Sequence, residues 1–476
     1  MARLRDQSGI ALVVALGVLV VISITVISVL TYTGSNARSV RYDDARQQAV
    51  SIAEAGMNEA IAVVSNASDV RDPSALPSGG RTFTGGATAN WSGSVNGDTW
   101  TISSTSTVKN PSGAADLHKT VSSQFRIGVD GVGYAPAWQF TYTDSTSTCM
   151  NLSQSAAIAV PFYIQGNLCL SNSANPIADE ITVKGHITLQ NSSKIGSSTK
   201  YISKLHTSGC STSSSGPWTL ANCTPANRVY ANQVDSTFAN VAKPTVDLSY
   251  WYTYAKPGPR NSCTTSSGTP PSFDNNLALD HSLSTVNLLP AYSYSCTVTS
   301  NGSTLGKLIW TYNGSSPGSL QISGVIFFDG DISLPSGLAV YSGRGTIYSS
   351  GTISISNSTY VCGAANCDVN NWDGDNSMIT LVAGCGDTAS GISAYCNQSD
   401  DFVARNSAKF QGGVYAVTDV RQQQSALIEG PIISRQLYIE NSSTAQKWPP
   451  IDFVSYGAPA PIGATKLIPI SGSWSG

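Results

Sequence analysis

The feature that most constrains this chain is an uncharged stretch from Gln7 to Ala37, directly behind the short leader Met1-Ala-Arg-Leu-Arg-Asp-Gln-Ser-Gly9. Its apolar part runs from Ile10 to about Leu30, roughly 20 residues, the length a helix needs to span a hydrocarbon core of roughly 30 Å. Within it only Ser23, Thr25 and Ser28 are polar, and a helix returns such hydroxyls to its own backbone. Arg3 and Arg5 lie on the short side. The excess of positive charge there predicts an N-terminus in the cytoplasm and export of everything after the apolar run.

A cleaved secretory signal has a shorter apolar run and a small-residue cleavage site behind it. Here the run is longer, and Val29-Leu-Thr-Tyr-Thr-Gly34 is bulky. The helical pattern also continues beyond it. Ala45, Ala49, Ala53, Gly56, Ala60 and Val64, flanked by Ile52, Met57 and Ile61, recur at i, i+3, i+4 and i+7. Arg41, Asp44, Arg46, Gln47, Gln48, Glu54 and Glu59 fall on the opposite face. One helix is therefore predicted from about Ile10 to about Ser65, roughly 85 Å long at standard rise.

These residues carry a resemblance. A leader ending in Gly9, an apolar helix starting at Ile10 and an amphipathic continuation with Ala53-Glu-Ala-Gly-Met-Asn-Glu-Ala60 look like type IV pilin-class proteins. The match is to the PilX-like minor pilins and to the tip pseudopilin of type II secretion, over about the first 130 residues. The resemblance implies cleavage between Gly9 and Ile10 by a prepilin peptidase. It implies a membrane or filament core built on Leu12, Val14, Leu16, Val20, Ile24 and Ile27. The implied partners are other pilin subunits and the inner-membrane assembly machinery. Major pilins carry Glu at the fifth mature position, where this chain has Val14; Ile10 stands where Phe is commoner. The missing carboxylate fits a minor or tip subunit better than a repeating one. An uncleaved anchor is the alternative.

Charged residues are only 12% of the 476, and the net charge of −3 gives no electrostatic case for nucleic acid. An apolar share of 41% argues against wholesale disorder. The ten cysteines all lie between Cys149 and Cys396. An even count on the exported side reads as disulfides. The simplest pairing is sequential: Cys149–Cys169, Cys210–Cys223, Cys263–Cys296, Cys362–Cys367 and Cys385–Cys396. No Cys-x2-Cys is present and His118, His186, His206 and His281 show no ligand spacing, so zinc is disfavoured.

Residues 69–86 read as a loop. Then Ala87–Val95, Thr99–Val108 and Lys119–Ile127 alternate as strands, the first two flanking a turn at Asn96-Gly97. Such a sheet needs a cover, and the amphipathic half-helix supplies it. The expected organisation is a leader at 1–9, an apolar helix at 10–31, an α+β pilin-like head at 32–130, a mainly-β domain at 134–445 and a Pro-rich tail at 446–476. No helical period is visible after about Tyr134. Strands of three to five residues recur with Gly or Asn at corners, among them Leu168–Leu170, Gly345–Tyr348 and Arg435–Ile439. This spacing suits a parallel β-solenoid, with a β-sandwich or jelly roll as the runner-up. Residues 207–317 are expected to be inserted loops, and the tail to cap or lie along the β-domain.

Candidate chemistry is sparse. Asp368, Asn370, Asp373 and Asp375 form a dense oxygen-rich cluster that would suit calcium, although the register is not that of an EF-hand. A surface turn is the competing reading. Asp329 and Asp331 flank Gly330 and invite a glycan-cleaving reading, but corner carboxylates are the simpler one. Trp138, Tyr142, Trp218, Tyr250, Trp251, Tyr252 and Tyr254 offer either a sugar- or protein-binding surface or a buried set. The sequence predicts a filament subunit that displays a β-domain for adhesion or capping, with no enzymatic activity. A membrane-anchored surface protein that binds or acts on polysaccharide is the alternative.

Overall fold

The computed structural model describes residues 7–475 except 68–69, 71–72, 77, 97–98, 112, 114, 130–135, 256–261, 266, 268–278, 282, 301–302, 315–316, 386–400, 441–442, 447–464 and 471. The chain divides into two units. One comprises Met1–Val95, Thr99–Arg126 and Leu467–Gly476; the other is chiefly Ile127–Lys466.

The first unit is built on one helix, α1 (Gln7–Ser65). Its apolar half keeps its few hydroxyls satisfied internally. Ser23 donates to the Leu19 carbonyl at 2.8 Å, Ser28 to Ile24 at 2.8 Å and Thr31 to Ile27 at 2.8 Å. From Ala45 onward the small-residue stripe is buried, with Ala53, Met57, Ala60 and Val64 fully inside. It packs on a sheet with neighbour order β1 (Gly79–Thr82), β2 (Thr88–Asn96), β3 (Thr99–Val108), β4 (Leu117–Val129) and β5 (Thr465–Pro469). β1 pairs antiparallel with β2, and β3 with β4. Helix and sheet approach closely because Gly56 has no side chain: a Cβ there would lie 2.4 Å from Ser104 Oγ and 2.6 Å from Ala89 Cβ. Ser106 Oγ donates to the Ala49 carbonyl at 2.6 Å, tying β3 to α1. The expected turn at Asn96-Gly97 falls partly outside the described residues.

Of the tail, residues 447–464 lie outside the described residues, and its last strand, β5, joins the small sheet beside β4. Ile470 N donates to Gln124 O at 3.0 Å, and Ser475 bridges Ser122. Lys466-Leu-Ile468 supplies strand-forming residues between the prolines, and Leu467 is buried. The β-domain is thus an insertion between β4 and the last strand of the same sheet.

The second unit is a stack of short strands paired in parallel with strands one coil earlier and later. That pairing is what a solenoid requires and what an antiparallel sandwich does not provide. Register aligns three columns. In the first, Val183, Ile164, Thr143, Ser434 and the strands at Tyr415, Val382, Tyr348 and Phe327 follow one another. A second runs through Leu189, Leu170, Leu152, Ile439, Gln422, Ala404, Ile355 and Leu334. A third runs through Ile158, Ala445, Ile428, Phe410, Val361 and Ala339. Alternate side chains turn inward to one apolar core that includes Phe162, Ile181, Phe328, Phe402 and Ile432.

The order of coils is not the order of sequence. The first coil, 141–158, lies in the middle of the stack, paired with the coil 432–446 on one side and with 162–170 on the other. From that seam the chain winds outward to Ala231–Asp235, runs back along the outside, and restarts at the far end with Leu283–Asn287 and Gly318–Phe328. It then winds inward until it meets its own beginning. Both halves visit the three columns in the same order and advance in the same direction. The stack is one continuous winding, cut in its middle, whose two ends are joined by the returning segment.

Residues 207–317 are therefore more than inserted loops. They contain the last rung, Ala231–Asp235, and the strands Ser262–Thr265, Tyr294–Ser300 and Ser303–Thr311, which pair antiparallel and hand over to Gly318–Phe328. They also contain a helix, α2 (Leu248–Ala255), in a region where no helical period was expected. Two turns are too short to show a period above a Trp/Tyr-rich composition. Disulfides join Cys149 to Cys169, Cys210 to Cys223, Cys263 to Cys296 and Cys362 to Cys367. Cys385 is disulfide-bonded as well, while its expected partner Cys396 lies outside the described residues.

Candidate functional site

Two features stand out, one in each unit. In the first, the apolar half of α1 has no cover. Leu12 is 71% exposed, Val14 59%, Leu16 65%, Val20 51%, Ile24 59% and Ile27 63%. An isolated soluble protein does not leave about twenty consecutive apolar residues in water. The helix is long and apolar enough to cross a membrane, with a mean hydropathy of 3.1 in its most apolar window. Gly9 and Ile10 lie within the same continuous helix, and no acidic residue stands in its first turn.

In the second unit the returning segment lies along the outward side of the first strand column. It begins at Asp235, whose carboxylate accepts from Thr237 N at 2.9 Å, Thr237 Oγ1 at 2.7 Å and Gln233 Nε2 at 2.9 Å, and pairs with His206 Nδ1 at 2.6 Å. The Thr237 bonds, then His206, hold that carboxyl well below the usual range. The column beneath is Tyr163, Tyr142, Ile433, Tyr415, Val382, Tyr348 and Phe327, in register from rung to rung. Tyr142 stacks on Tyr163 with ring centroids 5.6 Å apart, and Phe327 on Tyr348 at 5.9 Å.

The strap meets each rung in turn. Tyr163 Oη donates to Ala239 O at 2.5 Å and Tyr142 Oη to Val241 O at 3.1 Å. Tyr415 Oη donates to Pro244 O at 2.8 Å. Leu248 is fully buried over Gly384, where a Cβ would lie 2.3 Å from Leu248 Cδ1. Trp251 then stacks on Tyr348 at 5.4 Å and Tyr252 meets Phe327 edge-on at 5.4 Å. Lys243 Nζ donates to Val417 O at 2.9 Å and lies 3.7 Å from Asp144 Oδ1 and 5.4 Å from the Tyr415 ring centroid. Burial lowers the Lys243 pKa, and Asp144 and Asp401 oppose that shift.

The aromatic residues singled out in the sequence are thus largely inside. Trp138, Tyr142, Trp251 and Tyr252 are buried, and Trp218 is partly open, its ring tilted against that of His186 with centroids 3.9 Å apart. The side chains of Tyr250 and Tyr254 lie outside the described residues. Sequence reading missed Lys243, Tyr163 and Tyr415, whose role depends on which rung each occupies.

The carboxylates of the acidic loop hydrogen-bond within their own turns. Asp368 Oδ1 accepts from Asn370 N at 3.0 Å and its Oδ2 from Asn371 Nδ2 at 2.7 Å. Asp373 accepts from Asp375 N at 3.1 Å and Asn376 Nδ2 at 2.7 Å; the Asn376 amide lowers its pKa. Among the described residues no three His, Cys, Asp or Glu side chains converge on a metal position. Asp329 and Asp331 are likewise engaged. Buried Asp329 accepts from Asp280 N and His281 N at 3.1 Å each, and Asp331 Oδ1 accepts from Thr352 N at 2.8 Å. Desolvation raises the Asp329 pKa.

No family model matches this chain, and no curated protein matches it. Among solved structures, the chain is similar to the competence-associated pilin ComZ from Thermus thermophilus, at 12% identity and a TM-score of 0.41, over 84% of this chain and 86% of that one.

Proposed function

We propose that this chain is a minor, tip-type subunit of a type IV pilus-like filament, carrying an exported β-domain for adhesion or capping. One observation carries the reading. A single helix is bare and apolar from Ile10 to Leu30, then continues without a break into a half whose small residues seat a sheet. Such a helix needs a membrane or a bundle of like helices around its first half. Val14 offers no carboxylate to a neighbour's amino terminus, which suits a subunit present in few copies. The companions would be other pilin subunits and the inner-membrane assembly machinery, with a prepilin peptidase acting between Gly9 and Ile10. The disulfides suit an oxidising, exported location for the β-domain.

The test is to shear surface filaments from cells making the protein and determine its N-terminus by mass spectrometry. The expected result is recovery in the sheared fraction with Ile10 as the first residue. Recovery only in the membrane fraction, with Met1 intact, would remove the filament reading and leave a plain anchor.

A further inference from the structure

The coil stack contains one plane that no direct chain connection crosses. Every other pair of neighbouring rungs in the first column lies on one continuous winding, but the strand Thr141–Thr143 and its partner Ile432–Ser434 are the first and last coils of the domain. The plane is also polar inside. Thr141 Oγ1, Ser434 Oγ and Ser443 Oγ are buried and have no hydrogen-bond partner among the described residues, and buried Asp144 Oδ1 lies 3.7 Å from Lys243 Nζ of the strap. Thr141 and Ser434 belong to strands of the two seam coils, Asp144 directly follows Thr141–Thr143, and Ser443 directly precedes Thr444–Gln446. Buried polar atoms without partners weaken the packing in which they sit.

The strap crosses that plane. Lys243 reaches Asp144, which follows the first strand, and Val417, which follows Gly413–Ala416 on the other side. Tyr142 below the seam is bonded to Val241, and Tyr415 above it to Pro244. Gln165 Nε2 reinforces the lower side by donating to Val241 O at 2.8 Å and Tyr142 Oη at 3.1 Å. The lengths also agree. From Tyr163 to Phe327 the column spans about 29 Å at a spacing of about 4.8 Å per rung. The strap from Ala239 to Tyr252, nine residue steps to Leu248 and four along α2, can reach up to about 36 Å.

We infer that the segment 237–255 is a clamp, measured to this stack, that holds the first and last coils of the β-domain together across a seam without a direct chain connection, with Lys243 as its central pin. Opening of the strap would release the seam first. The rungs on either side, each continuous in sequence with its neighbour, would stay paired.

Hydrogen–deuterium exchange on the full-length protein in detergent tests this, using Lys243→Met, Asp144→Asn and the mild variant Tyr142→Phe. In any variant that folds, peptides covering 141–143 and 432–434 are expected to exchange at least ten-fold faster than in the parent. Peptides covering 181–189 and 353–355 are expected to keep parental rates. Combining Lys243→Met with Asp144→Asn should add little to either alone, because the two act as one contact. Parental exchange at the seam in all three variants, or equal loss of protection in every rung, would overturn the clamp.

Discussion

Tyr142, in the first strand of the coil stack, is the register partner of Ile433, in the last coil of the same stack. A chain that begins a winding at one end has no such pair. The relationship makes the domain a winding opened in its middle, so the chain enters and leaves it on adjacent coils. This arrangement suits an insertion, because both connections return to one small sheet whose strands β4 and β5 are neighbours. Ile433 is fully buried beneath the strap. Ile433→Ala should cost about 2–5 kcal/mol, the usual range for a buried large-to-small change, as measured by urea unfolding monitored through tryptophan fluorescence. A loss no greater than that of an exposed site, such as Tyr201→Ala, would contradict the placement of Ile433 in the covered column.

The helix–sheet contact in the first unit depends on the absence of a side chain at one position. A Cβ on Gly56 meets both Ser104 and Ala89 inside van der Waals distance. Gly56→Ala gains helix propensity of about 1 kcal/mol, yet overpacking at such a contact costs about 1–3 kcal/mol. Gly56→Val adds a larger clash and loses χ1 freedom, so it should be destabilising without ambiguity. Thermal melting should place Gly56→Val below Gly56→Ala. Equal melting temperatures would mean the sheet yields at this point.

Much of this first unit is legible in the sequence because its burial follows a local period. Ala45, Ala49, Ala53, Gly56 and Ala60 are marked by helical spacing alone, and β2, β3 and β4 by alternation. The stack is different. Short strands with small corner residues announce parallel coils, but each strand's partner lies one coil away, and at the seam it lies at the other end of the domain. Nothing local in Thr141-Tyr-Thr143 points to Ile432-Ile-Ser434. The same holds for the covered aromatics. Tyr142 and Trp251 are open to reading as a binding surface or a buried set until Tyr142 is seen beneath the strap and Trp251 within it, stacked on Tyr348.

Cys149 and Cys169 close a loop of 20 residues between two rungs of the stack, where Asn151 is the register partner of Cys169. By loop-closure entropy such a crosslink stabilises by about 3 kcal/mol. Replacing both by Ser should lower stability by roughly that amount, within the range of about 2–5 kcal/mol for native bridges of exported domains. Since Cys149 lies in the first coil, the loss should be accompanied by faster proteolysis near the seam. Cleavage confined to the far strand Ala231–Asp235 would argue against that coupling.

Glu429 provides a pH signature. It is buried, accepts a hydrogen bond from Gln411 Nε2 at 2.7 Å, and has its pKa raised first by desolvation. A carboxyl raised in the folded state binds more protons folded than unfolded within the window between the two values. Its contribution is therefore full below the unfolded value of about 4.3 and is lost as pH rises through the folded one. Glu429→Gln, neutral at every pH, should be close to the parent in stability near pH 4 and gain on it as pH rises to 7. Melting temperatures of both proteins across that range measure the difference. A gap that stays constant with pH would show that Glu429 does not change its charge state on folding.

The apolar half of α1 makes the sharpest demand on its surroundings. Ile24 sits near the middle of the bare segment and is 59% exposed. On the insertion scale, replacing an apolar residue by Lys at a helix centre costs about 3 kcal/mol, more than a hundredfold in partition. Ile24→Lys should leave the β-domain folded, since its rungs make no use of that residue. It should also sharply reduce the protein recovered in membranes and in sheared filaments. The two effects are separable: circular dichroism and intact disulfides report the fold, and fractionation reports insertion. If Ile24→Lys partitioned like the parent, the bare helix would have to be covered by something other than lipid or neighbouring apolar helices. A substitution at Tyr42, on the same helix but beyond the apolar run, should change neither readout, which confines the demand to the segment between Ile10 and Leu30.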